Sequence, residues 1–285
     1  MISMVFLSVF CLSLCQQKTT SDEGIGLDVP YVPTPMKVVD EMLELADLEQ
    51  GDVLLDLGCG DGRIVIQAAV QYTVRGSGVD LNSERVEESR QNARIAGVEN
   101  LVEFHNQNLY ETDLSEATVI TLYLLPSVNL KLRPRIFDEV KPGTRVLSHD
   151  FDMNSWTPDE ESMVILDEEA HFVYYWMVPA NVSGDWKVVL ADDSLETIIR
   201  FTQVFQYAQG SVIPETETWK VTEEQLSGSE IGFKIKSPDK VWTFTGRVNE
   251  DVMSGDVQST ASQKKTSWKA LRNPDTKQPI DKSSH

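Results

Sequence analysis

The sequence predicts an α/β domain built on a parallel sheet, followed by a smaller antiparallel β domain. From residue 29 to 178, short β-branched runs alternate with segments of helical period, which is typical of a parallel sheet with crossover helices. A glycine-rich turn, Gly58–Gly62, lies directly between one such strand and the next helix. From residue 179 onward, strand-like runs follow one another with turns between them and without a helical pattern.

Residues 1–28 are predicted to form a hydrophobic leader and a polar tether. The first fifteen residues are nearly all apolar or small; this run is too short for an ordinary membrane-spanning helix and has the length of a signal-peptide core. Residues 12–15 loosely resemble a bacterial lipobox, so Cys15 is a candidate lipid anchor, although no Lys or Arg precedes the run and Leu14 is bulky. The alternative is a plain hydrophobic N-terminus. We expect membrane association if the leader acts and a cytoplasmic protein otherwise.

Apolar periodicity and end signals place the elements of the first domain, residues 29–178. Thr34 is expected to cap a first helix beginning at Pro35, and Ser83 to cap a third helix that stops at Gly97. Pro134 should kink or restart its helix. The other predicted elements are strands at 53–57, 76–80, 101–104, 118–124 and 144–148, helices at 63–72 and 128–140, and a closing antiparallel pair at 163–166 and 172–178.

The second domain, residues 179–285, is predicted to be an antiparallel meander that forms a small barrel or half-barrel. Its tail, from about Asn273, is polar and expected to be frayed. Segments 184–186, 244–247 and 253–255 resemble signatures of lipocalin-like modules, which implies substrate docking or binding of an apolar ligand; the alternative is a stabilising appendage. The strand-like runs are 186–190, 197–207, 231–235, 241–248 and 266–271.

The charge balance restricts the partners of the protein. There are 45 Asp and Glu residues against 25 Lys and Arg, which gives a formal net charge of −20. Such a chain repels phosphate backbones, so nucleic acid is not expected as a partner, whereas a lysine-rich protein segment would suit it. The three cysteines, Cys11, Cys15 and Cys59, have neither a disulfide pattern nor zinc spacing. No metal site is predicted, and nothing in the sequence indicates an oligomeric state.

The stretch from Asp56 to Gly62 carries the chemistry. Glycines allow a ligand to approach the backbone, and the following helix presents free N–H groups, so a nucleotide-type ligand fits this corner. A dinucleotide site would need a glycine where Arg63 stands, and a P-loop would need a Gly-Lys-Ser/Thr sequence that does not follow. The pattern, an acid followed by Gly58, Gly60 and Gly62, resembles motif I of class I S-adenosylmethionine methyltransferases. In that superfamily, the acid and the loop, including here Cys59, bind the amine and carboxylate of the methionyl group.

Two later segments agree with this resemblance. Asp80, followed by Leu81, ends the next strand, where an acid can accept hydrogen bonds from the ribose hydroxyls. Asn108 and Leu109 follow the third strand, at a place where family members bind the adenine amine, usually through Asp; Asn108 can accept through its carbonyl oxygen. The alternatives are a helix cap or solvated loop for Asp80 and a turn-forming role for Asn108.

Four segments in order narrow the resemblance to one branch of the superfamily. Together they resemble the bacterial relatives of the mitochondrial ATP synthase c-subunit lysine methyltransferase family, over residues 29–178. This implies a seven-stranded Rossmann-like sheet with one antiparallel strand, S-adenosyl-L-methionine as cofactor, and a protein lysine as methyl acceptor. The four segments are Val-Pro-Tyr-Val-Pro-Thr-Pro at 29–35, the loop at 56–62, Leu-Tyr-Leu-Leu-Pro at 122–126 and Val-Leu-Ser-His-Asp-Phe at 146–151.

Three side chains are candidates for handling the methyl acceptor. Tyr31 would lie over the cofactor, Tyr123 ends the fourth strand, and His149, beside Asp150, ends the fifth as a possible base. The alternatives are packing roles for both tyrosines and a capping or core role for His149. The predicted function is methylation of a protein lysine. The alternatives are methyl transfer to a small molecule or lipid, and a non-catalytic envelope binding protein, since a leader would separate the domain from a cytosolic cofactor.

Overall fold

A computed structural model describes residues 31–192 and 195–281, without the side chains of 262–264. The predicted leader, the tether and the Cys15 anchor lie outside these residues, so localisation stays a prediction. None of the helices in the described ranges combines the length and the apolar composition that crossing a bilayer requires. Two sheets organise this part of the chain, one of seven strands and one of eight.

The first sheet has helices packed on both of its faces. One apolar cluster gathers residues of α1, α2 and α3, and a second gathers residues of α4, with strand side chains in each. The helices are α1 (Met36–Leu45), α2 (Arg63–Tyr72), α3 (Ser83–Ala96) and α4 (Pro126–Glu139). The strands are β1 (Val53–Leu57), β2 (Arg75–Asp80), β3 (Val102–Asn106), β4 (Val119–Leu122), β5 (Arg145–His149), β6 (Glu160–Leu166) and β7 (Glu169–Met177).

The strand order of this sheet is β3-β2-β1-β4-β5-β7-β6. Strands β1 to β5 are parallel, and β7 is antiparallel to both of its neighbours, β5 and β6. The predicted seven-stranded Rossmann-like sheet with one antiparallel strand is therefore confirmed. The strand order reverses between β1 and β4, and in open α/β sheets ligands bind beyond the carboxyl ends of the strands at such a reversal.

Two predictions about helix caps were wrong. Asn82, not Ser83, caps α3, because its side-chain oxygen accepts from the amides two and three residues on, at 2.9 and 3.3 Å. No side chain caps α1, since the hydroxyl of Thr34 is bonded instead to the ring of His149. Helix α4 continues through Pro134 without restarting, although this proline offers it no N–H donor; the predicted kink stays a prediction.

The second sheet is antiparallel throughout and nearly closes on itself. Its order is β10-β9-β8-β15-β14-β13-β12-β11, so the first and last strands of the domain, β8 and β15, pair with each other. The strands are β8 (Gly184–Leu190), β9 (Glu196–Val204), β10 (Tyr207–Ile213), β11 (Lys220–Ser227), β12 (Glu230–Lys236), β13 (Val241–Asn249), β14 (Val252–Ser259) and β15 (Ser262–Arg272). The predicted strand at 197–207 is in fact a hairpin, which turns at Phe205 with a φ of 49° in the absence of a Gly or Asn turn signal.

Aromatic side chains fill the inside of the curved sheet. The rings of Phe233 and Phe244 stack with centroids 4.6 Å apart, and the ring of Trp268 meets both edge-on at 5.6 and 5.3 Å. Trp186 is fully buried beside them, with its Nε1 donating to the Val182 carbonyl oxygen at 2.8 Å. The interior of this domain is thus a packed core.

The tail beyond Asn273 is not frayed as far as residue 281. The amide of Asn273 donates to the Asp185 carbonyl, and the Asp185 amide donates to Thr276 Oγ1, both at 2.8 Å. Further on, the amide of Asp281 donates to the Gln203 carbonyl at 3.2 Å. The sequence reading missed this docking because the partners of the tail lie about 80–90 residues earlier in the chain.

The β9–β10 turn joins the second domain to the first. Phe205, at the turn, is 1% exposed, and its ring lies 5.8 Å from Phe137 of α4 and 6.4 Å from Trp156. Its neighbour Gln206 donates through Nε2 to the Thr157 carbonyl oxygen at 2.8 Å. A buried aromatic and a hydrogen-bonded amide therefore hold the two domains together.

Replacing Phe205 by alanine should destabilise the protein by about 3–5 kcal/mol, because it removes a large buried ring and leaves a cavity between the domains. Urea denaturation followed by circular dichroism measures the change. Tyr207, two residues on, is 60% exposed and provides the matched control, since Tyr207→Ala should change stability by less than about 0.5 kcal/mol. Equal losses of stability in Phe205→Ala and Tyr207→Ala would contradict the conclusion that the buried ring of Phe205 holds the two domains together.

Candidate functional site

The glycine-rich loop after β1 is tied to the end of β2 by backbone hydrogen bonds. The amides of Gly58 and Cys59 both donate to the Val79 carbonyl oxygen, at 2.8 and 3.0 Å. The amide of Gly60 donates to Asp80 Oδ2 at 3.0 Å. These bonds bring the ends of β1 and β2 together, so that residues about twenty positions apart in sequence share one edge of the sheet.

Each glycine of the loop has a positive φ and a close neighbour. A Cβ on Gly60 would lie 2.4 Å from Tyr31, and one on Gly58 would lie 2.8 Å from Leu124. A Cβ on Gly62 would lie 2.7 Å from Phe104 of β3, which shows that Gly62 allows α2 to pack closely on its neighbours. Gly62 does not line the pocket described below, and its predicted cofactor-binding role stays a prediction.

A pocket opens at this edge of the sheet, between the loop and the strand ends, and is called here the β1–β2 pocket. It brings together ten of the twelve residues singled out from the sequence; only Gly62 and His149 lie outside it. Their individual roles stay predictions. The ten are Tyr31, Asp56, Gly58, Cys59, Gly60, Asp80, Leu81, Asn108, Leu109 and Tyr123.

Asp56 is a buried carboxyl in the wall of this pocket. It is 2% exposed, and its Oδ1 accepts a hydrogen bond from Thr121 Oγ1 at 2.8 Å. Burial raises the pKa of Asp56 to about 7, and the negative charges of Asp80 and Asp61 add to the effect, while the bond from Thr121 opposes it. A cationic group bound beside Asp56 would favour its ionised form.

Asp80 combines a structural role with free acceptor capacity. Its Oδ2 accepts from the Gly60 amide at 3.0 Å, and its Oδ1 accepts from the Asn82 amide at 2.8 Å. A carboxylate offers about four lone-pair sites, so two backbone bonds leave room for two more donors such as ribose hydroxyls.

Asn108 lines the pocket, but its side-chain oxygen already has a partner. It accepts from the Tyr110 amide at 3.0 Å and so caps the short 3₁₀ helix Leu109–Glu111. Asn108 therefore has the turn-forming role that was considered as the alternative for it. Bonding to adenine would have to use the second lone pair of this oxygen or the amide hydrogens. Leu81 and Leu109 supply apolar surface to the same pocket.

Cys59 contributes its backbone and a neutral thiol. Its side chain is 5% exposed and packs against Gly78 so closely that a Cβ there would lie 2.6 Å from the Cys59 Cβ. Burial raises the pKa of the thiol well above its ordinary value, with the charges of Asp56 and Asp80 adding to the shift. The thiol therefore stays protonated near neutral pH and serves as part of the wall.

Two arginines that the sequence reading missed fix the N-terminal segment onto the loop. Arg63, which pairs with Asp61 at 2.5 Å, donates to the Thr34 carbonyl oxygen at 2.9 Å. The guanidinium of Arg85 lies 4.2 Å from the centroid of the Tyr31 ring. Tyr31 thus covers the loop, while its predicted position over the cofactor stays a prediction. Arg85 belongs to α3 and reaches Tyr31 only through the fold of the β2–α3 connection. No local sequence motif indicates this contact.

Tyr123 and His149 form an aromatic pair at the far end of the pocket. Their ring centroids are 3.9 Å apart, and Tyr123 lines the pocket while His149 is fully buried. Burial, with the charge of Asp150, raises the pKa of Tyr123, so its phenol stays neutral. Burial lowers the pKa of His149 to about 4 despite the nearby Asp150. His149 is therefore not exposed to the acceptor as a base. It lies in the core, which was the alternative role considered for it.

His171, which the sequence reading did not consider, completes the surroundings of His149. Its Nδ1 lies 3.1 Å from His149 Nε2. The antiparallel pairing of β5 with β7 brings the two rings together from positions 22 residues apart. A spacing that long carries no local signal, which is why the sequence indicated no cluster.

The pocket has the chemical groups that S-adenosylmethionine requires. Asp56 offers a negative charge for the methionyl amine, and Asp80 offers acceptors for the ribose. Gly60 carries no side chain where the loop meets Tyr31, and α2 begins directly after the loop, at Arg63. These residues fit the cofactor.

Comparison with known proteins agrees with this geometry. The ANTKMT methyltransferase domain family matches residues 56–160. A protein-lysine N-methyltransferase of Saccharolobus islandicus is 46% identical over 151 residues, which cover 53% of this chain and 94% of that relative. The human ATP synthase c-subunit lysine N-methyltransferase is 30% identical, and the mouse adenine nucleotide translocase lysine N-methyltransferase 35% identical. The matches cover 46% and 47% of this chain, and just over half of each mammalian relative, 55% and 58%.

A solved structure shares more sequence over a similar span. A protein of Salinibacter ruber, described as an RNA methyltransferase in complex with S-adenosyl-L-homocysteine, is 56% identical and superposes with a TM-score of 0.48. The match covers 51% of this chain and 93% of that one. The matches therefore concern about half of this chain.

Ligand-free Asp56→Asn should lose the pH dependence that this carboxyl imposes on stability. Between about pH 4 and 7 the folded state keeps a proton that the unfolded chain has released, so stability falls by about 1.4 kcal/mol per pH unit as the pH rises. In thermal melts from pH 4.5 to 8, the melting temperature of the wild type should fall relative to that of the variant as the pH rises. Above pH 7 the variant should be the more stable protein.

Asp52→Asn provides the control with the opposite sign. Burial raises the pKa of Asp52, but bonds from Thr118, the Glu49 amide and Arg145 outweigh it and lower the pKa. Its stabilising effect is present above the unfolded pKa and lost as the pH falls, so Asp52→Asn should destabilise the protein at pH 7. If the melting temperatures of wild type and Asp56→Asn changed in parallel across the whole pH range, the buried carboxyl of Asp56 would not have a raised pKa, and the prediction would be refuted.

Asp80→Ala should weaken binding of S-adenosylmethionine at least about tenfold, because hydrogen bonds to a charged group are worth roughly 1.5–3 kcal/mol. Isothermal titration of both proteins measures the ratio. Asp113→Ala, at an exposed acid outside the pocket, serves as control and should leave the affinity unchanged. An unaltered affinity in Asp80→Ala would remove this residue from the binding site.

Proposed function

The chain belongs to the S-adenosylmethionine-dependent methyltransferase family of its Saccharolobus islandicus protein-lysine relative, and we propose that it methylates lysine side chains of a protein substrate. The observation that carries the proposal is 46% identity over nearly the whole of that relative, together with the assembled β1–β2 pocket. The second domain, for which we propose a docking role, lies beyond the family match at 56–160.

The electrostatics of the chain favour a basic acceptor. Its net charge of −20 attracts a lysine-rich segment and repels the phosphates of RNA. This balance supports a protein over a nucleic acid as substrate.

The residues of the pocket would bind the cofactor and align its methyl group for transfer. S-adenosylmethionine, when bound, supplies a methyl group on a positively charged sulfur. Asp56, the glycine loop and Asp80 would hold the methionyl and ribose ends, on backbone that hydrogen bonds between the loop and β2 keep in place. Alignment of this kind can lower the barrier by roughly 7–11 kcal/mol.

A lysine acceptor must lose its proton before it can react. Because the ordinary pKa of a lysine amine is about 10.4, deprotonation at pH 7 costs about 4–5 kcal/mol. Tyr31 and Tyr123 line the pocket, and burial of the amine between them would remove it from water, which disfavours the ammonium form and lowers this cost. The neutral phenol of Tyr123 can orient the amine by a hydrogen bond, and water can take the released proton.

The other acceptors and the non-catalytic alternative make different predictions. An intact acid at Asp56, the glycine loop and the carboxylate of Asp80 argue against a degenerate binding protein. Methyl transfer to a small molecule, lipid or RNA would put the label in a fraction other than protein. Substrate fractionation therefore distinguishes the alternatives.

The full chain, incubated with tritiated S-adenosylmethionine and bacterial lysate, should place label in protein and, after acid hydrolysis, in N-methyllysine. Lysate whose lysines have been blocked by acetylation, which removes the nucleophilic lone pair of the amine, is the matched control and should lose the signal. Asp80→Ala should reduce labelling at limiting cofactor. Label confined to the RNA, lipid or small-molecule fraction would overturn the proposal, as would protein labelling that survives lysine blocking.

A further inference from the structure

Three potential metal ligands meet behind the acceptor end of the β1–β2 pocket. His149 Nε2 lies 3.1 Å from His171 Nδ1 and 3.2 Å from Asp150 Oδ2, and the last two atoms are 3.6 Å apart. Each residue thus contributes one potential ligand atom to a single cluster. The methyl-transfer chemistry proposed above gives no role to this convergence.

The fold builds the cluster through backbone constraints. The β5–β7 ladder ends with His149 opposite Val173, and the next residue, Asp150, has a positive φ of 59°. The Asp150 amide donates to the Phe172 carbonyl at 2.8 Å, and Asp150 Oδ1 accepts from the Phe172 amide at 2.9 Å. The other oxygen of the carboxylate is thereby directed at the two imidazoles, in a backbone conformation that few residues adopt.

The spacing of the three atoms suits a bound ion. Zinc bonds to imidazole nitrogen and carboxylate oxygen are about 2.0–2.2 Å long, which places the ligand atoms of a tetrahedral site about 3.3–3.6 Å from one another. The measured separations of 3.1, 3.2 and 3.6 Å are close to this range, and the point equidistant from the three atoms lies about 1.9 Å from each in their plane. An ion slightly above that plane meets all three at ordinary bond lengths.

The ring of His149 is also held from its other side. Its Nδ1 lies 3.3 Å from Thr34 Oγ1, and both side chains are buried. Metal-bound histidines almost always use the second ring nitrogen for such a bond, which fixes the tautomer and leaves the lone pair on the ligating nitrogen. Arg63 in turn holds the Thr34 carbonyl, so the partner of His149 is itself fixed.

Solvent reaches the cluster from one side. The His149 side chain is fully buried, whereas those of His171 and Asp150 are 16% and 25% exposed, so an ion in solvent can approach these two residues. Two imidazoles and one carboxylate suit Zn²⁺ better than Mg²⁺ or Ca²⁺, which prefer oxygen ligands.

We propose that His149, Asp150 and His171 form a Zn²⁺ site at the end of strand β5. The bound ion fixes the ring of His149, on which Tyr123 stacks at 3.9 Å, and so connects metal loading to the acceptor end of the pocket. The ion bridges β5 and β7 and should raise the melting temperature. The site stands whether or not the methyl acceptor is lysine.

The test uses the full chain without a purification tag, stripped with a chelator and dialysed against ZnCl₂ or CoCl₂. We expect one tightly bound ion per chain by mass spectrometry of metals, visible absorption bands of low-coordinate Co²⁺, and a higher melting temperature with Zn²⁺. His171→Ala should weaken Zn²⁺ binding at least about a hundredfold, and Asp150→Asn at least about tenfold.

His105→Ala is the matched control, because His105 is an exposed histidine beside Glu103 on β3 and should leave Zn²⁺ binding unchanged. Should His171→Ala fold poorly, as judged by circular dichroism, His171→Gln keeps the shape of the side chain and is measured instead. Absence of stoichiometric Zn²⁺ in the wild type, or equal loss in the His105 and His171 variants, would overturn the site. Zn²⁺ binding without methyl transfer would support this site while counting against the proposed activity.

Discussion

The hydrogen bond from the Gly60 amide to Asp80 Oδ2 is the constraint on which the site depends. It joins the loop after β1 to the last residue of β2, and the Val79 carbonyl reinforces the connection by accepting two further amides. Because the carboxylate of Asp80 is held by backbone donors, it stands in place before any ligand arrives. The glycines are required because the loop can reach this position only with left-handed backbone and with Tyr31 lying directly on it.

The same arrangement places acidic groups close together in a region of low exposure. Asp56 responds with a pKa of about 7, so in the empty pocket it is only partly ionised near neutrality. The ligand-free fold is therefore less stable than a neutral side chain would make it, and a positively charged ligand relieves this cost. A loss of stability of this kind, caused by a buried group with a shifted pKa, is common at sites that bind a charged group.

Local signals allowed much of the fold and site to be predicted from sequence. The acid, the glycines and the strand–turn–helix context predicted the loop, and helix α2 begins and ends at the predicted residues. What the sequence could not show depended on distant partners: the hydroxyl of Thr34 is bonded to His149 rather than to a helix end, and His171 arrives through strand pairing. The Phe205 turn lacked a turn-forming residue, because burial between the domains rather than local preference fixes its backbone.

The pairing of β8 with β15 also determines the order in which the chain can fold during synthesis. All seven strands of the first sheet are complete by Met177, so this domain can form while the rest is still being translated. The second domain cannot close until Arg272 has left the ribosome to pair with Trp186. Until then the growing chain presents an unfinished sheet with exposed edges, and the methyltransferase domain can bind its cofactor before its companion domain exists.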